Sequence, residues 1–130
     1  MKVFIVDDSS LLRDRLGESI AEIKGVEAVG AANDVQMALE MIPTFRPDVV
    51  ILDIHLPNGN GITVLEKLKS EPAPPIVIMF TAYPYPQYRQ KCLQAGADYF
   101  FDKATEFDCI PAVLETLCAE LSSSTETIAG

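Results

Sequence analysis

The stretch DVVILDI, residues 48–54, is apolar at almost every position yet carries a carboxylate, Asp53, next to its end. A strand exposed on one face alternates apolar and polar residues, whereas one covered on both faces does not need to. Two more runs of the same kind, KVFIV (2–6) and PIVIMF (75–80), flank it along the chain, and VEAVGAA (26–32) and ADYFF (97–101) are further apolar runs of strand length. Near-continuous Val, Ile and Phe therefore predict a parallel sheet buried on both sides.

The segments between these runs have helical spacing. Leu12, Leu16, Ile20 and Ile23 follow the capping candidates Ser9 and Ser10 and end at Gly25, and Val35, Leu39 and Ile42 follow Asp34, with Pro43 read as the stop. Ile62, Leu65 and Leu68 form a third helix, ended by EPAPP (71–75). A fourth spans about 86–95 before Gly96, and a fifth runs from Ile110 to about Leu121, with Pro111 tolerated in its first turn. Five strands alternating with five helices give a (βα)5 doubly wound sheet with right-handed crossovers. Residues 122–130, SSSTETIAG, are small and polar and read as a flexible tail or the start of a linker.

At 130 residues and 48% hydrophobic content, one domain with an ordinary core is expected. A formal charge of -9 argues against binding nucleic acid phosphates or anionic membranes, and no apolar run approaches the length of a span. Cys92, Cys109 and Cys118 lack CxxC spacing and read as reduced thiols in a cytoplasmic protein.

In a doubly wound sheet, ligands bind beyond the carboxyl ends of the strands. The runs place Asp7 and Asp8 after the first strand, Asp53 after the third, Thr81 after the fourth and Lys103 after the fifth. Two unit charges 4 Å apart repel by about 4 kcal/mol at an effective dielectric near 20, so the gathered carboxylates call for a cation. A magnesium site suits them, because Mg2+ takes oxygen ligands and keeps some of its waters. Asp53, at the centre, can act as a nucleophile toward phosphorus and form an acyl phosphate, with Lys103 and Thr81 donating to the transferring group.

These residues resemble the receiver domain of two-component response regulators, the CheY-like family, from Met1 to about Leu121. VDDS carries its acidic pair, VVILDIHLPNGNGI its phospho-acceptor Asp53 and the Pro57–Gly61 turn, FTA its Thr81, and DYFFDK its Lys103. The resemblance implies the flavodoxin-like strand order 2-1-3-4-5 and transfer from a histidine kinase or histidine phosphotransfer protein to Asp53. It implies Mg2+ held by Asp8, Asp53 and the backbone carbonyl of His55, with Asp7 acting through water. It also implies a switch in which Thr81 turns toward the phosphoryl group and Phe100 follows, remodelling a target-binding face made of the fourth helix, fifth strand and fifth helix. Ala104 stands where the family commonly has proline, and Phe100 where it commonly has tyrosine.

The chain is thus expected to be a single-domain signalling module, not an enzyme beyond its own phosphorylation and autodephosphorylation. An aspartyl phosphatase or phosphotransferase acting on a small substrate is the alternative, but the haloacid dehalogenase pattern DxDx[TV] on a first strand does not fit Asp7-Asp8-Ser9. A flavin module on the same fold needs a phosphate loop where DDSS would repel phosphate. The YPYPQY segment (83–88) reads either as a rigid helix entrance or as an aromatic docking surface.

Overall fold

Val3, Phe4, Ile5 and Val6 are all buried, which requires cover on both faces of their strand. A computed structural model describes the backbone of residues 1–129 and the side chains of residues 1–122. That strand, β1 (Lys2–Val6), lies between β2 (Glu27–Ala32) and β3 (Val49–Leu52), and β4 (Ile76–Thr81) and β5 (Tyr99–Asp102) extend the sheet beyond β3. All four pairings are parallel, so the order is the expected 2-1-3-4-5. Four helices make the crossovers, α1 (Ser10–Ala21), α2 (Val35–Phe45), α3 (Gly61–Lys69) and α4 (Pro86–Gln94), and α5 (Cys109–Ala129) follows the last strand.

Strand alternation sorts the core into two layers. Val50, Leu52, Val77 and Met79 pack with Ala38 and Ile42 of α2, Leu65 and Leu68 of α3 and Cys92 of α4. On the other face Val3, Ile5, Ile51, Ile78 and Phe80 meet Leu16 and Ile20 of α1 and Ile110 and Leu114 of α5. Each of these large side chains contributes about 1.5–3 kcal/mol by leaving water. Burial also pushes the Cys92 thiol up to about 11, which fits a core thiol.

The caps expected of Ser9 and Asp34 form, and Asn60 supplies a third that the sequence reading did not name. Ser9 Oγ accepts from the Leu12 N–H at 3.2 Å, Asp34 Oδ1 from Met37 at 2.7 Å and Asn60 Oδ1 from Ile62 at 2.7 Å. The ends of two helices differ from expectation. Pro43 lies inside α2 and does not stop it, because Ile42 is buried and Phe45 packs its ring 5.8 Å from that of Phe4, holding the last turn in place. Arg46, at φ 47°, then closes the helix with its N–H on the Ile42 carbonyl. The α5 backbone continues to Ala129, past Leu121; no glycine or proline interrupts residues 112–129, and Gly130 lies outside the described residues.

Two local irregularities interrupt this regular pattern. β1 and β2 shift register between Val3 and Phe4, so Val3 pairs with Ala28 and Phe4 with Gly30, leaving Val29 unpaired. Between β3 and α3, His55–Leu56 pairs antiparallel with Gly59–Asn60 in a small hairpin that sequence periodicity does not reveal.

Candidate functional site

Val6 and Leu52 are register partners at the ends of β1 and β3, so the next residues along each strand, Asp7 and Asp53, emerge side by side. The Asp53 N–H donates to the Val6 carbonyl at 3.0 Å and the Asp7 N–H to the Ala32 carbonyl at 3.1 Å, which extends both strands by one bond. Asp7 and Asp53 are 2% and 5% exposed, whereas Asp8 faces solvent at the rim. One carboxylate oxygen from each of the three lies within 4.8 Å of the others.

Lys103 reaches this cluster from the end of β5. Its backbone N–H donates to the Thr81 carbonyl at 2.9 Å, and its ammonium lies 2.6 Å from Asp7 Oδ2 and 2.8 Å from Asp53 Oδ2. One cation therefore bridges two buried anions. Burial pushes the Asp53 carboxyl above its ordinary 3.8 and the charge of Asp7 adds to the rise, while Lys103 and the His55 N–H pull the other way without cancelling it. For Lys103, burial alone would lower the pKa, but the two carboxylates outweigh it and hold the ammonium above 10.5.

Asp53 Oδ1 is buried and has no hydrogen-bond partner among the described residues. A buried carboxylate oxygen left unpaired is costly unless a ligand meets it. Together with the three converging carboxylates, this oxygen fits a hard divalent cation.

The remaining predicted residues have different settings. Thr81 is fully buried and its hydroxyl oxygen accepts from the Tyr83 N–H at 3.1 Å; no hydrogen bond joins it to Asp53 among the described residues. Phe100, expected to move inward when Thr81 turns, is already only 5% exposed, and the Arg89 guanidinium lies 5.6 Å from its ring centroid. His55 is exposed, and its imidazole makes edge contacts with the rings of Tyr83 at 4.5 Å and Tyr88 at 5.6 Å. The Lys103–Ala104 bond is trans, as no cis peptide occurs in the described chain.

Arg13 escaped the sequence reading, and Gly61 entered it only as part of a turn. Arg13 donates from Nη1 to the Asp7 carbonyl at 2.7 Å, while Asp7 Oδ1 accepts from the Ser9 N–H at 2.9 Å, so the acidic loop is held at both ends. The one signal for Arg13 is its place one helical turn after Ser9. Gly61 opens α3, with its N–H on the Ile54 carbonyl at 2.7 Å, and a β-carbon there would overlap the Asp53 carbonyl oxygen. Beside Lys103 a depression of about 220 Å³ is lined by Ser9, Leu11, Leu12 and Arg15. Among the described residues no helix is long and apolar enough to cross a membrane.

Comparison with known proteins agrees with this geometry. Residues 3–115 match the family described as the response regulator receiver domain. Sensory transduction protein LytT of Bacillus cereus is 35% identical over 127 residues, which cover 98% of this chain and 51% of that protein. The response regulator domain of Thermotoga maritima CheB superposes with a TM-score of 0.80 at 29% identity, covering 92% of this chain and 94% of the other. A chain of the CheX–CheY–BeF3–Mg2+ complex of Borrelia burgdorferi gives a TM-score of 0.75 at 28% identity, over 88% and 89% of the two chains. Among curated relatives compared, this chain spans from 23% to 51% of their length.

Proposed function

The chain belongs to the response regulator receiver domain family, and from that premise we propose that Asp53 is its phospho-acceptor, served by Lys103, Thr81 and a magnesium ion. It is a phospho-accepting receiver of two-component signalling. The observation that carries the site assignment is Asp53 itself, a buried carboxylate at the junction of β1 and β3 with Oδ2 on Lys103 and Oδ1 without a hydrogen-bond partner among the described residues.

In the transfer, a carboxylate oxygen of Asp53 attacks phosphorus, forming an O–P bond as the P–N bond of a donor phosphohistidine breaks and the leaving imidazole takes a proton from solvent. Lys103 starts from two charge-assisted contacts and can direct an N–H at the oxygens of the arriving group. The Thr81 hydroxyl accepts from Tyr83, so its own proton remains free to be donated toward the phosphoryl group. Arg13 and Ser9 hold the loop that carries Asp7 and Asp8. Mg2+ would be held by Asp8, Asp53 and the His55 carbonyl, with Asp7 through water, and when bound it supplies the positive charge that offsets the carboxylates and the transferring group.

A histidine kinase or histidine phosphotransfer protein is the donor in this reading, and the α4-β5-α5 face carries the output to a protein target. Residues 1–121 form the receiver unit and residues 122–130 lead out of it. The chain acts in the cytoplasm and catalyses only its own phosphorylation and dephosphorylation. A small-substrate phosphatase has no observation in its favour, since the candidate nucleophile follows the third strand and not the first.

Treatment with acetyl phosphate and Mg2+ followed by intact-mass measurement will show one phosphoryl adduct on the wild type and none on Asp53→Asn; equal labelling of the two would overturn the assignment. Mg2+ alone will raise the melting temperature, by an amount equivalent to about 1.4 kcal/mol at ten times its Kd. A melting curve indifferent to millimolar Mg2+ would remove the metal from this reading.

A further inference from the structure

α4 differs from every other helix in having no carboxylate. α1 carries Asp14 and Glu18, α2 Glu40, α3 Glu66 and α5 Glu115 and Glu120, whereas α4 carries Arg89 and Lys91 and no acid. The gap is wider than the helix: residues 72–97 contain no Asp or Glu in a chain of net charge -9. Both cations are exposed, and neither forms an ion pair among the described residues.

Apolar surface coincides with this gap. Of the six large hydrophobic side chains exposed among the described residues, three lie here: Tyr83 at 47%, Tyr85 at 50% and Leu93 at 46%. Tyr85, Arg89 and Leu93 recur at four-residue spacing and so share one side of the helix. Pro84 and Pro86 fix the backbone around Tyr85, whose ring stands 6.2 Å from that of Tyr83 and 5.8 Å from that of Tyr88. Side chains held in this way lose little freedom on docking, and tyrosine and arginine are the types that interfaces favour.

We propose that Tyr83, Tyr85 and Leu93, with Arg89 and Lys91 among them, dock an acidic segment of a partner protein that presents carboxylates beside apolar side chains. This rests on the output-face reading and adds the chemistry of the partner. α2 and α5 carry acid and no base, α1 balances Asp14 and Glu18 with Arg13 and Arg15, and both lysines of α3 are already paired, Lys67 with Glu71 and Lys69 with Asp98. α4, with two cations outside any ion pair among the described residues and no acid, is the helix most favourable to an acidic segment, so charge favours both this face and the orientation of approach.

The surface also touches both switch positions. Arg89 covers the Phe100 ring, and the Tyr83 N–H is the donor on Thr81 Oγ1. A Thr81 hydroxyl drawn toward Asp53 gives up the Tyr83 bond and frees that tyrosine, and a partner carboxylate that takes Arg89 competes with its contact to Phe100. Docking and phosphorylation therefore draw on the same two contacts and must favour or oppose each other reciprocally.

The test uses the full chain, labelled with 15N, and a short synthetic peptide of Glu, Leu and Phe, alongside its counterpart with Lys in place of Glu. The acidic peptide will shift backbone amides within residues 83–93, and the double reversal Arg89→Glu/Lys91→Glu will weaken it about tenfold. The charge-matched control Lys24→Glu/Lys67→Glu will leave binding as in the wild type, and retained amide dispersion will show that both variants are folded. Equal shifts from the lysine peptide, equal weakening in the control, or no response of residues 83–93 would overturn the proposal. So would concentration-dependent shifts of those amides without peptide, which would assign the face to a second copy. Beryllofluoride with Mg2+, added separately, tests the phospho-acceptor reading alone: amides around Asp53, Thr81 and Lys103 that fail to respond would overturn that reading, while the peptide arms are scored without it.

Discussion

Alanine at Gly61 will destabilise the protein by about 3–5 kcal/mol, the range of the most severe single changes, and will abolish phosphoryl acceptance at Asp53. The new β-carbon would overlap the Asp53 carbonyl oxygen and come within 3.1 Å of Ile54 Cα. Both are backbone, so no rotamer change relieves the clash. Relief requires moving either the Asp53–Ile54 segment or α3, and α3 is anchored by buried Ile62, Val64, Leu65 and Leu68. Gly17, in the middle of α1, is the control: a β-carbon there meets nothing within 4 Å, so Gly17→Ala will stabilise by about 0.5–1 kcal/mol through helix propensity. Denaturation midpoints and acetyl phosphate labelling of the two variants check the contrast, and a Gly61→Ala protein as stable as the wild type would show that the clash is relieved without cost.

The second large effect belongs to Lys103. Removing its ammonium leaves Asp7 and Asp53 buried side by side with no cation between them, and Lys103→Ala will lose about 2–4 kcal/mol, below the range for a fully buried pair because the lysine side chain is 17% exposed. Mg2+ will raise the melting temperature of this variant more than that of the wild type, since an added cation replaces more of what is missing. The pH dependence is set by the direction of each shift. Lys103 is held above its ordinary 10.5, so its contribution is complete below that value and is lost as pH rises through the higher folded-state pKa. Asp53 is pushed up, so its ionised form costs stability; that cost is complete above its folded-state pKa and disappears as pH falls toward and below 3.8. A wild-type advantage over Lys103→Ala that stays flat across neutral pH and shrinks both in strong alkali, as Lys103 loses its proton, and in acid, as Asp53 gains one, would agree with this, and an advantage that shrinks near pH 7 would not.

The residues that gather at the strand ends were legible because two simple periods locate them. Apolar runs located β1, β3 and β5, and a parallel sheet puts the residues after those runs on one edge; Asp7, Asp53 and Lys103 meet there as expected. Capping by Ser9 and Asp34 was equally local and equally readable. The hairpin at His55–Asn60 was not, because two-residue strands have no period and the turn depends on Asn58 at φ 63° and Gly59 at φ 139°. Pro43 misled for a related reason: a local stop signal yielded to the packing of Ile42 and Phe45. The contact of Arg89 with Phe100 joins side chains of two different elements and leaves no mark in the spacing of the sequence, and the bond of Arg13 to the Asp7 carbonyl leaves only the faint one of its place a turn after Ser9.

An open sheet has two edges, and here they are β2 and β5, whose outer backbone groups have no neighbouring strand among the described residues. Such edges invite another chain to add itself as an extra strand, the route to uncontrolled polymerisation. The skipped Val29 disturbs the ladder along β2 and adds twist, and exposed Glu27 places a charge at its start. β5 is only four residues long, with Asp98 just before it, Asp102 as its last residue and Lys103 just after. Backbone-templated growth is thereby discouraged at both margins, so recognition by this molecule is left to side chains displayed on helices and loops, where a change of one charge can alter the choice of partner without disturbing the fold.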